Sequence, residues 1–248
     1  MIARDQDQET ALCITQLHHS RMTGAIGLYW GNEFIPKPPC FELTQFAAAI
    51  HDIGWTEWEK HPRIDDSTGH PVDFLQMDTS EHISIWDSAR TNSLGYGAAV
   101  ALLIYRHNLT LASTDTKPEK AKFLDQAKKH EVELRLLAEK SWKYQDKLTD
   151  KLLNRMNTTI LLWDYISLRL CMGPDAKNPF GPPPVFEGIQ FEMEPSQKNP
   201  ETFVLDPWPF KTDEFIWDVE AYTHKRGEEF RVEPSNLMNL RTKLVGKG

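Results

Sequence analysis

Residues 47–55 read AAAIHDIGW, a small apolar helix end that runs straight into a histidine and an aspartate, His51 and Asp52. Phe46, Ala47, Ala49 and Ile50 supply the packing side of a helix predicted over 41–52, and Gly54 reads as its stop. Adjacent helical residues point about 100° apart, so the pair cannot share one helix face. A metal lodged over the helix end could still take both, with imidazole nitrogen from one side and carboxylate oxygen from the other. That donor set suits iron, manganese, zinc or magnesium.

A second unusual carboxylate lies far downstream. Asp164 sits in ILLWDYISLRL (160–170), where nearly every helical neighbour is apolar. Burying an isolated ionised carboxylate costs several kcal/mol even after relaxation, so it must be protonated, paired with a cation or bound to a metal. Arg169 lies five positions on and does not share the face of Asp164 closely. Upstream, QLHHS (16–20) places His19 on a helix predicted over 16–30. The order His19, His51-Asp52, Asp164 is the order a mononuclear four-ligand site requires. His82 and His107 fall between Asp52 and Asp164 on two further predicted helices.

Around these residues the chain reads as mainly helical. A strand over 10–15 precedes the first helix, and EFIPKPPC (33–40), with three prolines, is an irregular connection. The polar stretch 56–79 reads as a surface loop leading out of the candidate site. Two more helices are predicted over 81–92 and 95–108. Pro118 then opens a long amphipathic segment to 144, which with 148–172 resembles a helical hairpin. The Pro/Gly-rich GPDAKNPFGPPP (173–184) is a linker to β-rich segments at 185–194, 202–208, 214–222 and 228–234. The expected fold is therefore mainly α: a helical bundle over 1–172 with an inserted hairpin at about 118–150. A small antiparallel sheet over 173–248 joins the N-terminal strand.

Composition narrows the function. Of 248 residues, 40% are hydrophobic and 26% charged, which is globular usage. A net charge of −8 offers no footprint for a phosphate backbone, so nucleic acid is not an expected partner. No run approaches the roughly 18 apolar residues that span a bilayer, and MIARDQDQE lacks a secretory signal, so no membrane partner and a cytoplasmic location are expected. Cys13, Cys40 and Cys171 read as small buried hydrophobes, and His61, His70, His130 and His224 as solvated or hydrogen-bonded side chains.

The order of His19, His51-Asp52 and Asp164 resembles that of the HD-domain superfamily of metal-dependent phosphohydrolases, and HDIGW looks like its helix-ending motif. The resemblance covers roughly 12–172. QLHHS, HDIGW, YRH and DYISL together look like an uncharacterised bacterial group of HD-like proteins, and the spacing from Gln16 favours His19 over His18 as the ligand. With His82 and His107 the pattern also resembles the dinuclear branch, which includes HD-GYP-type phosphodiesterases and the di-iron myo-inositol oxygenase. That likeness implies one or two divalent ions. Asp52 would bridge them, His19, His51 and Asp164 would hold one, and His82 and His107 the other. Trp55 stands where dinuclear members often carry lysine, and the GYP signature is absent.

The function expected on this basis is hydrolysis of a small phosphorylated substrate, with Asp52 and His107 catalytic and Lys60, Arg63, Arg106 and Trp55 contacting substrate. A di-iron oxygenase is the second expectation. A non-enzymatic metal-containing binding module, using Trp55 and Trp58, is the third. The inserted hairpin would cover the site or form a homo-oligomer interface.

Overall fold

Thr15 is where sheet becomes helix. Strand β2 (Thr10–Ile14) buries Ala11 to Ile14, and the Thr15 hydroxyl then accepts the His18 N–H at 3.1 Å, capping α1 (Gln16–Tyr29). In this computed structural model the described residues are all but 5, 6, 8, 115, 116, 142, 145, 146, 200, 201 and 248, so part of the segment predicted over 118–144 lies outside them. The remaining helices are α2 (Phe41–Ala49), α3 (Thr79–Ser93), α4 (Ala98–Ala112), α5 (Pro118–Glu139) and α6 (Asp150–Met172). Asp78 and Glu81 form a reciprocal capping box at the start of α3, Pro118 opens α5, and Thr149 caps α6.

The expected mainly α, HD-like bundle with a small antiparallel sheet is overturned. Strands β1 (Ile2–Arg4), β3 (Glu192–Pro195), β4 (Thr202–Asp206), β5 (Glu214–Lys225) and β6 (Leu237–Gly246) join β2 in one curled six-stranded sheet of order β1-β2-β5-β6-β4-β3. It is mixed, because β4 runs parallel to β6 while the other neighbours are antiparallel. Three local features hide it in the sequence. Strand β1 is only three residues long. Strand β6 (LMNLRTKLVG) exposes Leu237 and Met238 and buries Thr242 and Leu244, so its burial does not follow an alternating apolar pattern, and the segment read as a strand at 228–234 is loop. A parallel pairing leaves no hairpin signal in the sequence.

Helices α1 and α6 connect the sheet to the remaining helices. Helix α1 packs on α2, α6 and β5, and α6 packs on α1, α2 and α4 while touching β1 and β6. Helix α5 packs on α4 and α3. One core cluster runs through both sides of residue 173, with an aromatic centre in which Trp30 stands 5.8 Å from Trp163, 5.5 Å from Phe186 and 5.4 Å from Phe191. Cys13 and Cys171 are buried as expected, but Cys40 is exposed, because it occupies the left-handed turn before α2 (φ 48°). Among the described residues no helix is long and apolar enough to cross a membrane.

The crossing of α1 and α2 is tight enough to require glycine. A Cβ at Gly24 would lie 2.3 Å from the Cβ of Ala49, the last residue of α2. Gly24→Val should therefore destabilise the fold by roughly 1–3 kcal/mol, the usual cost of overpacking a core contact. Thermal unfolding would show a lowered Tm, and removing the opposing methyl in Gly24→Ala/Ala49→Gly should recover only part of the loss seen in Gly24→Ala alone, because the new Cβ would still lie 2.7 Å from the Cα of residue 49. An unchanged Tm for Gly24→Val would contradict this crossing.

Candidate metal centre

The Gly24–Ala49 contact holds the end of α2 against α1, and the centre is built on the turn immediately beyond that end. The helix stops at Ala49, and Ile50 leaves helical geometry (φ −132°, ψ 19°), so His51 and Asp52 lie in the turn rather than on the helix. The turn frees the two adjacent side chains to converge, which a continuing helix would have prevented. Gly54 does not act as a left-handed stop. A Cβ there would lie 2.2 Å from the Ile85 carbonyl oxygen, so glycine is needed for close approach to α3.

Four side chains from three segments meet. His19 Nε2 lies 2.8 Å from Asp164 Oδ1 and 3.6 Å from Asp52 Oδ2, while His51 Nε2 lies 3.2 Å from Asp52 Oδ2 and 3.3 Å from Asp164 Oδ1. Bonds of about 2.0–2.2 Å to one metal put neighbouring ligand atoms about 3.0–3.5 Å apart, so these separations suit a shared ion. The buried group of His19, His51 and Asp164 could hold a metal, with one donor atom from each within 4.8 Å of the others. Asp52 adds a carboxylate on the same side.

The backbone and neighbouring hydroxyls fix the ring orientations. His51 Nδ1 donates to the Ala48 carbonyl at 2.8 Å, which leaves Nε2 facing the carboxylates. The Ser167 hydroxyl donates to the Asp164 carbonyl at 2.9 Å and so accepts from His19 Nδ1 at 3.1 Å. Thr23 Oγ1 supports Ser167 from 2.7 Å. Sequence reasoning misses Ser167 and Thr23; the available signal is that Ser167 lies three residues beyond Asp164, about one helical turn on.

His107, on α4, completes the cluster. Its Nε2 lies 3.5 Å from Asp164 Oδ2, its ring stands 4.9 Å from that of His51, and neither of its buried nitrogens makes a hydrogen bond. Buried polar atoms are normally satisfied, so a fully buried imidazole with two free nitrogens is a mark of a functional site.

The electrostatics arise from the crowding. Burial alone would raise both carboxyls, yet the imidazoles of His51, His107 and His19 outweigh it and hold Asp164 well below the usual carboxylate range. His51 and His19 lower Asp52 in the same way, against burial and the charge of Asp164. Burial opposes a charge on His51, but Asp52 and Asp164 prevail and raise it well above the usual imidazole range. Two buried carboxylates are thus kept anionic by positive charge around them, which a divalent cation would supply more strongly.

The other predicted site residues are placed elsewhere. His82 is stacked on Trp86 (5.3 Å between rings) and stands 5.9 Å from Trp55, outside the metal-binding group. Trp55 is buried beside Val72, Met77 and Ile85. Lys60 pairs with Glu57 at 2.7 Å, Arg63 with Glu81 at 2.9 Å, and Arg106 with Glu131 and with Asn154 at 2.7 Å, so each cation already has a protein partner. Lys60 also lines a cavity of about 600 Å³ with Thr15, His18, Glu59, Tyr222 and Phe230. Glu59, hidden in the stretch read as a surface loop, is buried and accepts the Gln16 N–H at 2.6 Å at the start of α1.

Residues 1–225 match the family described as a protein of unknown function, DUF3891, and the chain belongs to that family. Neither a curated protein nor a solved structure matches the chain.

The hydroxyl relay gives a test that spares every donor atom. Ser167→Ala should weaken metal affinity about 10–100-fold, the usual effect of losing a group that orients a ligating histidine. Competition against a chromophoric chelator would measure it, with circular dichroism to confirm folding. Wild-type affinity in the variant would mean that Ser167 does not orient His19.

Proposed function

We propose that this member of the DUF3891 family is a metal-dependent hydrolase of small phosphoesters, its metal held by His19, His51, Asp52 and Asp164. One observation carries the reading most directly. The histidine side chains are sealed, at 1% exposure each, whereas Asp164 keeps 8% and Asp52 13%, so the centre opens on its carboxylate side. Structural metal sites are closed by their ligands, while catalytic sites keep a position for water or substrate. Two imidazoles and two carboxylates suit zinc, iron or manganese, and magnesium less well because of its preference for oxygen.

When bound, such a metal supplies a nucleophile from water near neutral pH and neutralises charge on the phosphoryl oxygens. The chain's own residues do the rest. Asp52, the more exposed carboxylate, is placed to accept a proton from the attacking water. His107, with two free nitrogens against Asp164, is placed to hold a proton for the leaving oxygen. Lys60, Arg63 and Arg106 would have to exchange a carboxylate partner for a substrate phosphate, and Lys60 lines a cavity.

The geometry favours one ion over two. The dinuclear set needs His82, and its ring is held between Trp55 and Trp86 instead. A di-iron oxygenase therefore draws less support from the structure than a mononuclear hydrolase.

The test is turnover of p-nitrophenyl phosphate and bis(p-nitrophenyl) phosphate by protein stripped with chelator and reloaded with zinc, manganese or iron. Elemental analysis should find about one ion per chain, and Asp52→Asn should lower turnover at least 100-fold, within the range of a lost acid–base group. Dioxygen uptake by the iron form without phosphoester cleavage would replace hydrolysis with the oxygenase reading. A folded, metal-loaded protein active in neither assay would leave a binding role.

A further inference from the structure

Two buried histidines outside the metal centre face each other directly. His70, in the loop before α3, and His224, near the end of β5, are 1% and 3% exposed, and their Nδ1 atoms lie 3.0 Å apart. The other nitrogen of each ring meets a backbone carbonyl: His224 Nε2 lies 2.9 Å from the Glu228 oxygen and His70 Nε2 3.4 Å from the Asp7 oxygen. The 3.0 Å separation is an ordinary N–H···N hydrogen-bond length, whereas one metal held in line between two imidazoles would keep the nitrogens about 4 Å apart.

Counting protons fixes what each ring does. A carbonyl only accepts, so His224 Nε2 must carry hydrogen, and in the neutral ring Nδ1 is then a bare acceptor. The proton between the rings therefore belongs to His70 Nδ1. A second proton on His70 would sit on Nε2 and find the Asp7 carbonyl. A second proton on His224 would sit on Nδ1 and set two N–H groups against each other in a buried space. The pair thus loses its hydrogen bond when His224 takes up a proton.

The contact ties the loop that carries His70 to the strand that leads into one wall of the cavity. Beyond His224 the chain turns, with Arg226 N donating to the Glu9 carbonyl at 2.8 Å and Gly227 N to the Gly69 carbonyl at 2.9 Å. Phe230, whose ring stands 6.1 Å from His224 and 6.0 Å from Tyr222, then forms part of the cavity wall with residues 229–233. The wall also includes Thr15, Leu17 and His18, at the start of α1, and Glu59.

We propose that the His70–His224 pair is an acid-operated latch: proton uptake by His224 breaks the Nδ1–Nδ1 hydrogen bond and frees the 226–233 segment, opening the cavity whose wall residues 229–233 form. The groups around it set the direction. Burial disfavours charge on His224, the Glu228 carbonyl and carboxylate favour it, and His70 disfavours it, leaving His224 below the usual imidazole value of 6.5. Asp7 is the acidic group within reach of His70. The residue across from His224 on β2 is Ala11, which is uncharged, and the Arg226 guanidinium is drawn away to the Ser67 carbonyl. Because the folded value is depressed, the latch is intact above about pH 6.5 and is lost as pH falls through that lower value.

Amide hydrogen exchange, corrected for intrinsic rates, would test this on the full chain between pH 7.5 and 5. Protection of 226–233 relative to 219–223 should fall about tenfold for each pH unit below the His224 value, and should stay flat in His224→Gln, whose amide can donate and accept without titrating. Wild-type protection that does not change, or falls equally in the variant, overturns the proposal. Should His224→Gln fail to fold, ring nitrogen chemical shifts of the wild type decide. At pH 7.5 His224 must be the neutral Nε2–H form with His70 carrying hydrogen on Nδ1, and the reverse assignment overturns the latch.

Discussion

Asp164 is a carboxylate at the centre of a helix whose neighbours form the hydrophobic core, and it stays anionic only because three imidazoles surround it. Removing a carboxylate from water costs several kcal/mol unless compensated, so the positions of His19, His51 and His107 are conditions for α6 to pack where it does. Each comes from a different element, which means that α1, the turn after α2, and α4 must all close on α6 together. The Gly24–Ala49 contact, the carbonyl of Ala48 and the Ser167 hydroxyl are the local devices that let them do so.

Much of this centre is legible because a charged residue in an apolar helix is a conflict that sequence displays openly. That conflict and their order single out His51, Asp52, His19 and Asp164, and the structure brings them together with His107. His82 misleads for a physical reason. The ring stacks on Trp86, one turn along its own helix, and stands beside Trp55, away from the cluster, and a histidine on a helix carries no mark of which face it occupies. The cations mislead similarly: Lys60, Arg63 and Arg106 look available in sequence because their partners Glu57, Glu81 and Glu131 are set by tertiary contacts or by pairings that compete with any substrate.

The sheet is much less legible than the centre. Strand β2 and most of β5 show β-rich runs, but β1 is too short to register. Strand β6 is recognised as a strand only through its two neighbours, antiparallel β5 and parallel β4. Periodicity reports the face a segment buries and is silent about which distant segment covers its edge. The overall class differs from expectation for that reason, even though all six helices lie close to where the apolar pattern places them.

That sheet carries a consequence for how the molecule is made. Strand β2 runs directly into α1, which carries His19; it pairs locally with the short β1 but joins the rest of the sheet through β5, with Thr10 opposite Lys225 near the other end of the chain. Contacts between residues so remote in sequence close slowly, because the entropy of a large loop must be overcome before any of it is recovered. On a ribosome, His19, His51, Asp52, His107 and Asp164 would all be synthesised before the strand that ties β2 into the sheet. Such a chain must hold several charges that are buried in the final fold in waiting until its last quarter arrives.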